Sequence, residues 1–343
     1  MTEPTIDLRS DLHAYPTDEM WDAMRSAKLG WATYGEDTSV NELQERMADL
    51  LGKEAALWVP TCGMANLVAL LTIAPRGSTV VLESSSHVLT SEEMGVEEIA
   101  GLEARTLWAD DGRLDPVEVE ELIVESGATM LLLENTHTRA GGTVLTPELT
   151  TELAAAAQRH GAYVHLDGAR LFNASVALGR PLRDFTARVN TVAVSLNKGL
   201  CAPMGTILAG RAQVIELAQT TLRRLGGASV HKAGIAAAAA LVALDTLVER
   251  LADDHRRARE LGALLQEVPG LDVEPAEIET NIVLVDVLGT ELDPEELLQL
   301  LAERGVLGLE RDTSRVRFVT HRLIGDAEIQ RAAEQVAAVV TAR

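Results

Sequence analysis

Apolar residues along this chain fall into short β-branched runs separated by longer stretches with helical spacing. Strand candidates lie at Ala55–Pro60, Thr79–Leu82, Thr129–Leu133, Tyr163–Leu166 and Val192–Ser195. Helices are expected from Cys62 to about Ile73 and from Pro116, Pro147 and Leu182 onward. Strand and helix in alternation predict an α/β fold, a mainly parallel sheet covered on both faces. Each run ends in polar residues: Glu83 to His87, Glu134 to Arg139, Asp167 with Arg170, and Lys198. The carboxyl ends of parallel strands are where open α/β sheets bind ligands, so these ends mark the candidate site.

Outside that region the pattern changes. The segment before Pro16 shows neither period and is expected to be an N-terminal arm, residues 1–16. Met20, Trp21 and Met24 predict a helix over 17–28 with Thr17 as N-cap, and Leu43, Met47, Leu50 and Leu51 predict another over 42–51. Between them Gly30 to Asp37 is a loop carrying Trp31 and Tyr34, which either pack at a surface or line a pocket. Ala233 to about Leu264 is expected to be one long helical region containing the boundary between a large domain, 17–250, and a small α+β domain, 251–343. The latter holds a strand over 280–286, helices over 293–304 and from 326, and the segment Ser314 to His321. No internal repeat or low-complexity linker interrupts the chain.

Composition narrows the function. A length of 343 residues with 47% hydrophobic content suits a globular protein of more than one core. A net charge of −22 argues against nucleic acid and anionic membrane surfaces and leaves a small molecule as the expected partner. Two cysteines, Cys62 and Cys201, are too few for a disulfide framework or a zinc site, and no metal site is expected. The N-terminus lacks the apolar stretch of a signal peptide, and a cytoplasmic location is expected.

Two strand ends carry candidate chemistry. A lysine at a strand tip is usually solvated, but Lys198 has a counterpart in Asp167 at the end of another apolar run. An amine able to form a Schiff base and an acid able to hold a pyridinium proton are what pyridoxal phosphate requires. Thr61-Cys62-Gly63 turns from a strand into a helix N-terminus, where unpaired N–H groups make an anion site. His87 and His137 each follow a strand end in the same register.

The stretches Asp7 to Asp11, Tyr34 to Asp37, Gly52 to Ala56, Ser86-His87, Glu134 to His137, His165 to Ala174, Ser195 to Leu200 and Arg317 to His321 resemble, in order, those of the low-specificity L-threonine aldolases among the fold-type-I pyridoxal-phosphate enzymes. The resemblance implies a large domain with a seven-stranded sheet and a small C-terminal domain. It implies Lys198 as the cofactor's Schiff-base lysine, Asp167 as partner of the ring nitrogen, and His87 stacked on the ring. Cys62 and Gly63 fall at the phosphate turn, and Ser195 counts with the cofactor-binding residues. Arg170 is implied near the cofactor's phenolic oxygen or the substrate carboxylate, which Ser10 and Arg317 would hold. His87 and His137 are the candidates for taking the hydroxyl proton.

Thr61 to Asn66, Leu12 to Tyr15, Trp31 to Thr33, Val88-Leu89 and Val230 to Lys232 depart from the family pattern. The cofactor chemistry is thus kept while the walls differ, and His13, Trp31 and Tyr34 become candidate substrate contacts. The expected activity is reversible cleavage of a β-hydroxy-α-amino acid such as threonine, allo-threonine or phenylserine to glycine and an aldehyde, with a bulky β-substituent favoured by Trp31 and Tyr34. Transaldol transfer, β-elimination, racemisation and a non-catalytic regulator are the rivals. A homo-oligomer is expected, a dimer or a dimer of dimers, with sites at the subunit interface.

Overall fold

Runs such as Met130–Glu134 and Thr191–Ser195, buried along their whole length, have nowhere to sit except the middle of a sheet covered on both faces. In the computed structural model, which describes residues 4–92, 95–274 and 277–342, they do so. Seven strands, β2 (Ala55–Val59), β3 (Thr79–Glu83), β4 (Glu103–Leu107), β5 (Met130–Glu134), β6 (Tyr163–Asp167), β7 (Thr191–Ser195) and β8 (Thr206–Gly210), pair in the order β2-β8-β7-β6-β5-β3-β4. Only β8 runs against its neighbours. The expected mainly parallel α/β sheet is therefore observed, and the carboxyl ends of β3, β5, β6 and β7 lie side by side along one edge.

Helices cover both faces. α1 (Asp18–Ser26) is capped by Thr17, whose hydroxyl accepts from the Met20 N–H at 3.3 Å, and α2 (Thr38–Leu51) starts at Asp37, ahead of the apolar pattern that predicted it. α3 (Cys62–Ile73) follows β2.

The long helical region is two helices, Gly234–Thr246 and Leu251–Gln266, broken at 247–250. The alanine-rich first packs on α1 and α2, and the charged second packs on the terminal helix Asp326–Val340. Leu247 and Leu251, at the two ends of the break, are both buried in the same core, the one packed against the large sheet.

Beyond it β9 (Asp272–Glu274), β10 (Ile282–Asp286), β12 (Leu309–Glu310) and β13 (Arg315–Val319) form a four-stranded antiparallel sheet in the order β12-β13-β10-β9.

The N-terminal segment departs from the expected featureless arm. Ile6–Asp7 forms β1, parallel to β11 (Val306–Leu307), and Ile6 and Leu8 are fully buried in the C-terminal core. Burying such side chains is worth about 1.5–3 kcal/mol each, enough to fix a segment whose two-residue strand carries no readable period. This docking delivers Ser10 and Asp11 to the sheet's ligand edge. No helix among the described residues is long and apolar enough to cross a membrane.

Candidate active site

Lys198 sits in the turn after β7. Its carbonyl accepts from the Cys201 N–H at 2.8 Å, and Cys201 takes the left-handed backbone conformation, φ 59°. The glycine after the lysine, Gly199, is not the residue that takes the left-handed turn conformation. The structure gives Gly199 a different role: a Cβ there would lie 2.6 Å from Leu251, so the position is held open for close packing. Burial, and then the charge of Arg170, lowers the affinity of the Lys198 amine for its proton, favouring the nucleophilic neutral form.

Asp167 ends β6, beside β7, and is fully buried. Its Oδ1 accepts from the Ala169 N–H at 3.0 Å and its Oδ2 from the Asn66 amide at 2.9 Å. Burial and the nearby charge of Glu134 push its carboxyl up, against the pull of Lys198 and His87. Asn66 also donates to Glu92 at 2.9 Å, so its oxygen is left to accept from His165 Nε2 at 3.0 Å, and His165 Nδ1 then accepts from the Thr191 hydroxyl at 2.9 Å. Burial holds His165 neutral, at about 3. The chain Thr191–His165–Asn66 has one direction and orients the Asp167 carboxylate. Burial and Asp167 raise Glu92 to about 7.

At the start of α3 the Thr61 hydroxyl takes the Met64 N–H, and the Thr61 carbonyl takes that of Ala65. Among the described residues no acceptor pairs with the N–H of Cys62 or Gly63, the open anion cradle of a helix N-terminus. The Cys62 thiol lies 3.7 Å from Asp167 Oδ1, and burial with Asp167 raises it well above the ordinary thiol range.

A cleft of about 260 Å³ opens over these strand ends, lined by Ser10, His87, Arg170, Lys198 and Arg317 among others. His87 starts a short helical turn after β3, its N–H fixed by Glu134 Oε2 at 2.7 Å. Burial lowers its pKa, so the ring is a neutral acceptor at neutral pH. Arg170 is buried in a two-point pair with Asp11, Nε to Oδ2 and Nη2 to Oδ1, both at 2.8 Å, and its Nη1 reaches Thr138 at 3.0 Å. Arg317 is freer. Its Nη2 touches only the Arg9 carbonyl at 3.3 Å, and its buried Nε has no partner. Burial and the neighbouring Arg170 lower it to about 10.

Other sequence candidates lie elsewhere. His137 is turned inward, its Nε2 on Glu83 at 3.0 Å, and does not line the cleft. Ser195 spends its hydroxyl on Asn197 at 2.6 Å. His13 sits 3.5 Å from Asp7 on the outside. Trp31 and Tyr34 are 49% and 69% exposed, edge to face at 4.7 Å, with His231 beyond Trp31, and they do not reach this chain's own cleft. Asp11, Asn66, Glu92 and His165 received no role from sequence, since nothing local to them reports the tertiary partner each one has.

The residues present fit pyridoxal phosphate. A buried carboxylate held by two amide donors and a thiol, all neutral, wants a cationic partner such as a protonated ring, two unpaired N–H groups want an anion, and a desolvated amine wants an aldehyde. Lysine and aspartate at adjacent strand ends of this sheet define a fold-type-I pyridoxal-phosphate enzyme.

A family model described as beta-eliminating lyase matches residues 7–288, and the chain belongs to that family. Low-specificity L-threonine aldolase 1 of Arabidopsis thaliana is 38% identical over 339 residues, covering 96% of this chain and 94% of the relative. The low specificity L-threonine aldolase of Escherichia coli K12 is 37% identical over 286 residues, 82% and 84% of the two chains. In fold, the solved structure of the threonine aldolase of Leishmania major superposes with a TM-score of 0.81 at 19% identity, covering 98% of this chain and 99% of its own.

Proposed function

We propose that this protein is a pyridoxal-phosphate aldolase that reversibly cleaves a β-hydroxy-α-amino acid, such as L-threonine, L-allo-threonine or phenylserine, to glycine and an aldehyde. The observation that carries the reading is one cleft holding Lys198, His87 and an under-partnered Arg317 over the buried Asp167. When bound, the cofactor supplies a sink for the electrons released as the Cα–Cβ bond breaks.

The chain's own residues do the rest. Lys198 would hold the cofactor through its neutral amine, and the backbone N–H groups of Cys62 and Gly63 would hold its phosphate. Asp167, braced by Asn66 and Ala169, keeps a proton at the ring nitrogen. Arg317 grips the substrate carboxylate, with Ser10 beside it. Arg170 is occupied by Asp11 and contributes its charge to the same corner. His87 accepts the β-hydroxyl proton at its ring nitrogen. His137, paired with Glu83, instead braces the strand ends around Glu134.

A homo-oligomer is part of the same reading. The exposed Trp31, Tyr34 and Tyr15 form surfaces for a neighbouring copy, and sedimentation of the active protein tests it. The deciding assay incubates the cofactor-loaded protein with threonine, allo-threonine and phenylserine and measures glycine, aldehyde, ammonia and keto acid separately. Glycine with equimolar aldehyde is expected. Ammonia with keto acid, or Cα exchange without cleavage, would overturn the assignment in favour of elimination or racemisation.

A further inference from the structure

The active-site cleft carries more positive charge than an amino-acid carboxylate can use. Arg139, Arg170, Arg311 and Arg317 line it together with Lys198, and Glu310 is the one carboxylate lining it among the described residues. The whole chain has 52 acidic side chains against 30 basic ones, so this local excess runs against the composition. In such a chain five cations gathered around a single carboxylate are an anion site until their charges are accounted for.

Two of the four arginines are. Arg170 is matched by Asp11 on both sides of the pair, and Arg317 is the partner for the α-carboxylate. Arg139 and Arg311 remain. Arg311 Nε is anchored on the Arg139 backbone carbonyl at 2.8 Å, which fixes the two residues beside each other. The nearest acid to Arg311 is Asp312, at 3.6 Å from Nη1, and Asp312 is already held by Arg315 at 2.9 and 2.6 Å. The Arg139 guanidinium has no ion pair among the described residues, and Glu310 is exposed on β12 at the rim. Burial, then repulsion from Arg139 and Arg315, holds Arg311 below the usual arginine range. Arg139 and Arg311 also line a second cleft of about 610 Å³, where Asp111 and Glu274 are paired with Arg113 and Arg315, Asp110 takes the Trp108 indole N–H, and Asp272 lies on the same wall, so the two arginines stand between that acidic wall and the active site.

We infer that the preferred substrate is a β-hydroxy-α-amino acid whose β-substituent ends in a second carboxylate, received by Arg139 and Arg311 while Arg317 holds the first. The inference rests on the aldolase reading and narrows its substrate class. For the smallest such compound, 3-hydroxyaspartate, the Cα–Cβ bond breaks, its electron pair is left on Cα, and Cα takes up a proton to give glycine. The hydroxyl proton passes to His87 as the C–O bond becomes the carbonyl of glyoxylate, with no net oxidation or reduction. Trp31 and Tyr34 lie outside this cleft, so neither offers an aryl substituent a wall within it.

The test uses the cofactor-loaded protein and measures glycine release from threonine, phenylserine and 3-hydroxyaspartate. The kcat/KM for 3-hydroxyaspartate should exceed that for threonine by about tenfold or more, and Arg139→Gln or Arg311→Gln should each lower that ratio by roughly 10- to 100-fold, the worth of one charge-assisted contact. Arg139→Lys should retain most of it. Independently of turnover, calorimetric titration should show succinate binding more tightly than propionate, with an advantage that shrinks in salt and in the Gln variants. The wild-type comparison stands even where a variant fails to fold. Cleavage of threonine with no preference for the diacid, and succinate no better than propionate, overturns this inference and leaves the aldolase reading intact. Absence of cleavage of all three compounds while succinate is still selected refutes the aldolase reading and keeps the second anion site.

Discussion

Replacing Asp11 with Asn is the sharpest way to ask whether the N-terminal segment builds the site. Asp11 is wholly buried and Arg170 nearly so, and the carboxylate takes Nε and Nη2 at 2.8 Å each while the Asn281 amide approaches Oδ2 at 3.3 Å. Asparagine keeps the shape but leaves one guanidinium donor facing an amide and the Arg170 charge uncompensated. Breaking one side of a buried pair costs about 3–5 kcal/mol, a large share of the 5–15 kcal/mol that typically holds a domain together.

The Arg170 charge holds the Asp11 carboxyl far below its ordinary value. Its contribution is therefore complete above the unfolded carboxylate pKa of about 3.9 and is lost only as the pH falls beneath that. Urea unfolding of the cofactor-loaded protein should show a gap between wild type and Asp11→Asn that is constant from about pH 8 to 5 and narrows only below about pH 4. KM for the amino acid should rise as well, because Arg170 loses its orientation, and Asp11→Glu should recover part of both. A cycle with Arg170→Gln should show strong coupling. A stability gap under about 1 kcal/mol together with an unchanged KM would refute the clamp.

Other consequences are testable in the same protein. Lys198→Ala should retain no pyridoxal phosphate after borohydride reduction and denaturation, and wild-type turnover in that variant would remove Lys198 from its role. Arg317→Ala should cost about 2–3 kcal/mol in substrate capture, one to two orders of magnitude in kcat/KM, with cofactor affinity nearly unchanged. Because burial lowers the pKa of His87, kcat/KM should stay flat from about pH 8 down to the ordinary histidine value of about 6.5 and fall only below it; His87→Asn should remove that limb and about 10²- to 10⁴-fold of rate. Gly199→Ala, which brings a Cβ to 2.6 Å from Leu251, should destabilise by about 1–3 kcal/mol, and a neutral outcome in thermal unfolding would show that the turn can yield.

Periodicity carried the sheet because its central strands are apolar on both faces, a pattern that survives in one dimension. It missed β4, an edge strand whose Glu103, Arg105 and Thr106 alternate with nothing buried enough to read, and it did not separate β8, which continues an apolar stretch but returns antiparallel. Lys198 and Asp167 were legible since each ends a run in the same register, and strand order then made them neighbours.

What the chain determined alone was local: which segments are strands, which ends are polar, and which residue types could bear cofactor chemistry. Only tertiary structure decided which of those residues meet. Asp11 lies 159 residues from Arg170 and 270 from Asn281, and it reaches both because Ile6 and Leu8 sink into a core built by the C-terminal strands. The same holds for His137, which shares its strand-end position with His87 yet turns toward Glu83. A carboxylate, an amide or an imidazole acts on what lies within about 3 Å, and for these residues that neighbour is supplied by a distant part of the chain.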